Sequence, residues 1–474
     1  MAPRKKLIFV CNTSWSVYKF RLPLLRLLAG RGHKIYVLAP EDRHSEWIRK
    51  EKSVVFIPLY HFKATRFSPL ADLSLYRELR RHYRQIGPDL IFHYTIKANI
   101  YGTLAAAKTA PASISVITGL GYTFLNNGLM RKAVSFMYKH SLKKAREVWF
   151  LNKDDQAYFV EKKITPAHKT FVLPGEGVDT DLFREQMGLR DTLKREGKKG
   201  APPFEQQMDA PHMPKHEEAT DINLFKQQAE AQHPPKNEEA TDAESLRQQA
   251  KAQDDSGEED GTGSISFGAA SYAIPKQPLN FLLIARIIKE KGIEEYARAA
   301  AILKQKGCSA TCRIIGYYDH KNPSAIPFKK FSEWVNSGTI VYPGATDDVL
   351  AFIEKADCIV LPSYREGLPL SLLEGASMSK PLIAANTAGC REIVEQGRNG
   401  FLVPVKDADK LAEAMETFYH LSPADRMALG AEARKTVTER FSMEKVHALY
   451  LSRIATYIQE PAAGKVIPIV NKTL

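Results

Sequence analysis

The sequence predicts an α/β protein built from two doubly wound parallel-sheet domains that face each other across a cleft, with an acidic insert between them. Three observations predict it: short apolar runs alternate with longer helical patterns in residues 1–184, the alternation returns in 278–460, and the stretch 201–265 has neither pattern. Continuous apolar strands joined by helical crossovers make parallel sheets covered on both faces. Two such units in sequence put a cleft at the carboxyl ends of their strands.

The chain has 474 residues, too many for one core and enough for two or three domains. A hydrophobic share of 44% excludes a disordered or fibrous class. At the N-terminus, basic residues precede the apolar run of LIFVCN, but that run is shorter than the roughly 7–15 residues of a signal core, so it is expected to be the first strand. KIYVLAP, VVFIPL, DLIFHY, SISVIT, EVWFLN and TFVLPG complete the strands of the first domain, residues 1–184, with helices near 21–30, 72–86, 99–108 and 130–145.

Residues 185–277 are expected to be a linker. Within it PKHEEATDINLFKQQAEAQ (214–232) recurs as PKNEEATDAESLRQQAKAQ (235–253), too polar to offset chain entropy by burial and predicted to be a disordered insert over 201–265. The second domain, 278–445, has LNFLLIA, ATCRIIG, GTIVYPG, CIVLPS, KPLIAAN and GFLVPV as strands and helices near 293–306, 327–336, 347–355, 369–379 and 407–420. A helix over 446–460 is expected to cross back to the first domain, followed by a tail, 461–474.

The five cysteines are scattered, and Cys308 and Cys312 lack a second pair to complete a zinc site, so all are expected to be reduced and structural, with a cytoplasmic setting. No segment reaches the roughly 18 apolar residues of a membrane span. The net charge is +13, yet 201–265 carries about 15 acidic and 5 basic residues, so the rest is more basic still and suits an anionic partner.

REGLPLSLLEG (365–375) follows the run CIVLPS and so lies at a strand's carboxyl end. Glu366 and Gly367 are expected to form the turn and Pro369 the first helical turn, where its missing N–H costs nothing. The N–H groups of Leu368, Leu370 and Ser371 then face an anion at the positive end of the helix dipole. Glu366 before the helix and Glu374 within it can grip hydroxyl-rich groups on either side of a diphosphate, as in a nucleotide sugar; a capping glutamate and a solvated one is the plainer alternative. ARIIKEKG (285–292) ends another strand, and its Arg286 and Lys291 supply two cations for a diphosphate leaving group.

These motifs, with VYPGATDDVL, AGCREIV and NGFLVPV, resemble glycosyltransferase family 4, retaining enzymes of the GT-B fold. KFRLPLLRLL, TIKANIYGTLAAA and ITGLGYTF resemble the bacterial members that add a hexose or N-acetylhexosamine, often α-1,3, to undecaprenyl-diphosphate-linked sugars in capsule, O-antigen or N-glycan assembly. The resemblance implies a UDP-sugar donor, with Arg286 and Lys291 on its diphosphate, Glu374 on the ribose and Glu366 on the transferred sugar. It further implies that Gly367, Leu368, Pro369 and Leu370 line phosphate and sugar through their backbone, that Tyr342, Pro343 and Gly344 flank the uracil, and that Gly316 closes the floor. No cofactor, metal or dedicated base is expected, because the leaving phosphate takes the acceptor's proton and fixed cations balance its charge. Asp154, Asp155, Asp347 and Asp348 are read as helix caps rather than metal ligands.

In many members a Gly-rich loop follows the first strand; here CNTSWSVYKFRLP has no glycine, which shifts anion binding to Arg21 and Lys19. Thr95, Lys97 and Asn99 are expected to face the cleft, with Gly119 and Gly121 turning near a polyprenyl-diphosphate-linked sugar acceptor. His93 is read as a satisfied strand histidine. The helix of LMRKAVSFMYKHSLKKAREVWF sets Met130, Val134, Met137, Tyr138 and Leu142 on one face among basic residues, and it suits either an anionic bilayer or an ordinary core. Arg77, Arg80, Arg81, Arg84 and LYHFKATRF add to the bilayer case, which gives a peripheral enzyme on the inner face of the plasma membrane. A UDP-sugar epimerase or hydrolase, and a basic nucleic-acid-binding protein, are the alternatives; no aromatic-basic recognition module supports the latter, so no nucleic-acid partner is expected. No strand runs into G-x-G-x-x-G, which disfavours a dinucleotide dehydrogenase.

Overall fold

The computed structural model describes residues 4–62, 68–110, 112–121, 124, 128–181, 277–320, 322–346 and 348–458. The predicted insert, 201–265, and the tail lie outside the described residues.

Seven parallel strands form the first sheet: β1 (Lys6–Val10), β2 (Lys34–Ala39), β3 (Val54–Pro58), β4 (Leu90–Tyr94), β5 (Ser113–Ile117), β6 (Glu147–Phe150) and β7 (Thr170–Val172), in the order β3-β2-β1-β4-β5-β6-β7. Each falls on an expected apolar run. Alternation along β1 shows how the sheet is covered. Leu7 and Phe9 pack on one face with Leu25, Leu28 and Tyr450, and Ile8 and Val10 pack on the other with Leu75, Leu79 and Tyr83.

The second sheet holds β8 (Leu279–Ile284), β9 (Ala310–Ile315), β10 (Cys358–Leu361), β11 (Leu382–Ala385) and β12 (Gly400–Val403), all parallel, in the order β12-β11-β10-β8-β9. The expected strand GTIVYPG is absent. Val341 makes a single bridge to Arg313, after which Pro343 supplies no N–H and Gly344 turns the chain at φ 98°, so the ladder stops.

Strand order reverses between β1 and β4 in the first sheet and between β10 and β8 in the second. Such switch points open a crevice at the strand ends. The loops after β8 and β10, which carry Arg286, Lys291 and Glu366, flank the second crevice. The chain passes between domains side by side at Val178 and Ser442, which form a parallel bridge. The final helix, Met443–Ile458, then packs Val446, Tyr450 and Ile454 into the core of the first sheet.

The basic helix, Leu129–Leu142, corrects the bilayer reading of its apolar face. Val134, Tyr138 and Leu142 are buried with Phe124, Phe150 and Phe159, because β6 needs a cover on that side. Leu129, Met130 and Phe136 remain exposed instead. Among the described residues no helix is long and apolar enough to cross a membrane.

Candidate functional site

The mouth of the second sheet is assembled from close backbone approaches that glycine permits. Gly292 sits at φ 69° after the short Lys289–Lys291 turn, and a Cβ there would lie 2.2 Å from the Pro362 carbonyl oxygen. That proximity sets Lys291 beside the loop after β10. Its Nζ meets Glu366 Oε1 at 2.5 Å, and Ser363 Oγ donates to the same oxygen at 2.6 Å. Arg286, at the end of β8, has a side chain 56% exposed and only a distant ion pair, 3.9 Å, to Asp319. Its guanidinium is therefore the more available of the two predicted cations.

The helix after the loop is Leu370–Ser377, and Pro369 is its cap rather than its first turn, with ψ 115° in the extended region. No side chain caps this end, which leaves the N-terminal dipole facing the crevice beside Lys291 and Glu366. A Cβ on Gly375 would lie 2.4 Å from Ile359 Cγ1, so the helix rests tightly on β10 and Glu374 is held toward the cleft. Glu374 is 6% exposed and pairs with Lys19 of the first domain, Nζ to Oε1 3.1 Å. Burial raises the Glu374 carboxyl pKa above its ordinary value, and Lys19 opposes that rise.

Gly367 is where the domains touch. A Cβ on it would lie 2.1 Å from the Thr118 carbonyl oxygen and 3.2 Å from Gly119 Cα, and its own carbonyl accepts from Asn152 Nδ2 at 2.8 Å. Gly389 backs it from the second domain, with room for no Cβ against the Gly367 and Glu366 carbonyls. Leu368 fills the space over Gly175. Gly119 takes φ 133° and Gly121 φ 61°, so both serve as turns, the former directly against the carboxylate loop.

Several predicted ligands have other work. The ring of Tyr342 is buried edge-on against Phe331, and its hydroxyl donates to the Gly316 carbonyl at 2.8 Å. It therefore holds the floor instead of flanking a base. Gly316 at φ 147° would clash with the Ala285 carbonyl if it bore a Cβ, and its N–H donates to the Gly344 carbonyl at 3.1 Å, so the ends of β8, β9 and the segment through Gly344 pack tightly together.

In the first domain Arg21 is only 3% exposed, forms a 2.5 Å ion pair with Glu176 and stacks 3.9 Å over Tyr94. This buried pair anchors the segment leading to the domain crossing, so the guanidinium expected to meet an acceptor anion is held by a carboxylate of its own domain. Lys97 is likewise buried on Asp72, Nζ to Oδ1 2.8 Å, and Asn99 donates to the Val116 carbonyl at 2.9 Å. Both lie behind the strand ends because the chain after β4 coils back as a π-helical turn, Ala98–Gly102. Thr95 alone stays at the mouth, in the left-handed region at φ 73°. Strain of this kind at a strand end gathers at functional sites.

His93 is fully buried, with Nε2 on Tyr83 Oη at 2.9 Å and Nδ1 on Thr103 Oγ1 at 3.3 Å. Burial pushes its pKa down to about 3, so it is a neutral core residue. Asp348 caps its helix as expected, accepting from the Ala351 N–H; Asp347 lies outside the described residues. Asp154 and Asp155 do not cap. Asn152 caps that helix, and the aspartates reach across the cleft, Asp155 to Arg365 at 2.8 Å and Asp154 to Arg391 at 2.7 Å. Sequence reasoning missed Asn152 and Arg365, which join loops distant in the chain, and Ser363, which orients Glu366 within its own loop; the N-cap position of Asn152 was the one available signal.

The geometry can be set beside known proteins. Residues 20–175 match the glycosyl transferase 4-like domain and residues 267–436 match the glycosyl transferases group 1 family. The two matches together make the chain a glycosyltransferase. This glycosyltransferase is 24% identical, over 85% of its length and 87% of the other's, to the N,N'-diacetylbacillosaminyl-diphospho-undecaprenol alpha-1,3-N-acetylgalactosaminyltransferase of Campylobacter jejuni. It is 23% identical to the putative glycosyltransferase EpsD of Bacillus subtilis, over 92% and 93% of the two chains. Among solved structures it is similar to Anabaena HepE in complex with UDP and glucose, with a TM-score of 0.63, 15% identity and coverage of 96% of this chain and 100% of that one. The glycosyltransferase therefore has the GT-B arrangement of two Rossmann-like domains that its sequence predicts.

Proposed function

We propose that this glycosyltransferase moves a hexose or N-acetylhexosamine from a UDP-sugar to a polyprenyl-diphosphate-linked sugar, with retention at the anomeric carbon, in the assembly of a surface polysaccharide. The observation that carries this reading is the convergence of Lys291, Glu366 and the uncapped start of Leu370–Ser377, with Glu374 further along the same helix. The likeness to an enzyme whose name specifies an undecaprenyl-diphosphate-linked acceptor supports the acceptor class.

As the nucleoside diphosphate departs, negative charge grows on its phosphates, and Lys291, Arg286 and the helix dipole stabilise it. Glu374 accepts the ribose hydroxyls, and Glu366, oriented by Lys291 and Ser363, accepts hydroxyls of the transferred sugar. The acceptor hydroxyl attacks from the face the phosphate leaves, and the phosphate takes its proton. These fixed cations make a metal or cofactor unnecessary to the transfer. The enzyme works at the inner face of the membrane, where the exposed Leu129, Met130 and Phe136 beside Lys132 and Lys139, together with the exposed Arg77, Arg81 and Arg84, suit an anionic surface.

The test is a panel of UDP-sugars incubated with polyprenyl-diphosphate sugars, with products read by mass and NMR. A lipid product extended by one α-linked sugar is expected. Free sugar or an isomerised nucleotide sugar as the sole product would mean hydrolysis or epimerisation instead.

A further inference from the structure

Cys308 and Cys312 lack a second pair in the sequence, yet the fold brings Cys308 two other zinc-type partners. It lies in the turn between the Ile293–Gln305 helix and β9, against the last turn of the Ala408–His420 helix. The Ser309 N–H donates to Tyr419 Oη at 3.2 Å, which pins this turn to that helix. Glu416 and His420 are four residues apart and so share one face. One ligand atom each from Cys308, Glu416 and His420 lie within 4.8 Å of one another, and all three side chains are half-buried. Among the described residues no other group of three or more His, Cys, Asp or Glu side chains converges in this way.

We propose that Cys308, Glu416 and His420 form a zinc-binding site that clips the turn before β9 to the end of the Ala408–His420 helix. Thiolate, imidazole and carboxylate together are a donor set suited to tetrahedral Zn²⁺, with water in the fourth position. Lys306 Nζ holds Glu416 Oε2 at 2.5 Å, which leaves Oε1 for the ion and fixes the carboxylate as an outer partner does in metal sites. The site lies where β9 begins, whereas Arg286, Lys291 and Glu366 follow the strands' carboxyl ends, so the ion is structural and takes no part in transfer. The four other cysteines are buried in the core and do not compete for it.

The full-length protein, stripped with a chelator, should take up one Zn²⁺ per chain from a chromophoric zinc indicator, and its thermal midpoint should rise with added zinc. Cys308→Ser and His420→Gln should each weaken uptake by at least about tenfold and remove the thermal response. Co²⁺ in place of zinc should give a thiolate-to-cobalt absorption band that Cys308→Ser abolishes, a readout that loss of packing alone would not produce. No uptake by the unsubstituted protein, or equal uptake by the Cys308→Ser/His420→Gln double variant, would overturn the proposal.

Discussion

Lys19, in the last turn of the Ser14–Phe20 helix, reaches across the cleft to Glu374, the second carboxylate of the E-x7-E pair. Each carboxylate of the pair thus has its own lysine: Lys19 on Glu374 from the first domain, and Lys291 on Glu366 within the second. On the proposed reading a ribose hydroxyl competes with Lys19 for Glu374 Oε1. Lys19→Met should therefore tighten UDP binding at pH 8 by roughly two- to fivefold, the worth of a partly exposed ion pair. Because Lys19 also counteracts the upward pKa shift that burial imposes on Glu374, its loss should move the acid limb of UDP binding to higher pH. Calorimetric titration of UDP between pH 5 and 8 measures both, and an unchanged acid limb would separate Lys19 from the site.

In the proposed transfer Lys291 balances the leaving charge and Glu366 orients the sugar. Lys291→Ala and Glu366→Ala should each lower kcat by about 10²–10³-fold, typical of losing one preorganised electrostatic contact. Far-ultraviolet circular dichroism should stay unchanged. Near-normal turnover in either variant would dismantle the site assignment.

At Gly367 the contact is steric. An alanine there places Cβ 2.1 Å from the Thr118 carbonyl oxygen, so the two domains must separate or the loop must shift. A displacement near 1 Å at a reacting centre costs about 10²-fold in rate. Gly367→Ala should show that loss in kcat with a much smaller change in the affinity for UDP, whose proposed contacts lie mostly on the second domain.

The two arginine–aspartate pairs between the domains should behave differently. Asp155 is 1% exposed, and Arg365→Ala leaves its carboxylate buried without its cation, at a cost of up to about 3–5 kcal/mol. Asp154 and Arg391 are both exposed, so Arg391→Ala should change stability by no more than about 1 kcal/mol. Denaturant unfolding of the two variants makes the comparison.

Acid should destabilise the first domain through His93. Its pKa lies near 3 when folded and returns to about 6.5 when unfolded, so the unfolded chain binds the extra proton between those values. The stabilising effect of its neutral burial is complete above pH 6.5 and is lost progressively as pH falls toward 3. His93→Gln should make the decline in thermal midpoint below pH 6.5 shallower.

Much of the fold was legible because each strand of the first sheet is a short apolar run with turn residues at its ends, and period and length suffice to place it. GTIVYPG had the same appearance but could not continue a ladder, since Pro343 has no N–H and Gly344 turns the chain. The Pro423–Arg440 helix went unrecognised although Ser422, Pro423 and Asp425 mark its start. In the site, REGLPLSLLEG and ARIIKEKG were readable because their residues are local to strand ends. The partners of Arg21, Lys97 and Tyr342, which are Glu176, Asp72 and Phe331, were not readable because they meet only once the sheet is folded.

The sequence alone determined the two parallel sheets and placed REGLPLSLLEG and ARIIKEKG at the carboxyl ends of their strands, since these depend on local periodicity and neighbouring side chains. Which cation faces which carboxylate was decided only by the tertiary structure: Lys19 meets Glu374, Arg365 meets Asp155, and Cys308 meets Glu416 and His420. Electrostatic and coordination contacts act over a few ångströms of space, whatever the separation along the chain, so close packing of sheets and helices had to bring these groups together first.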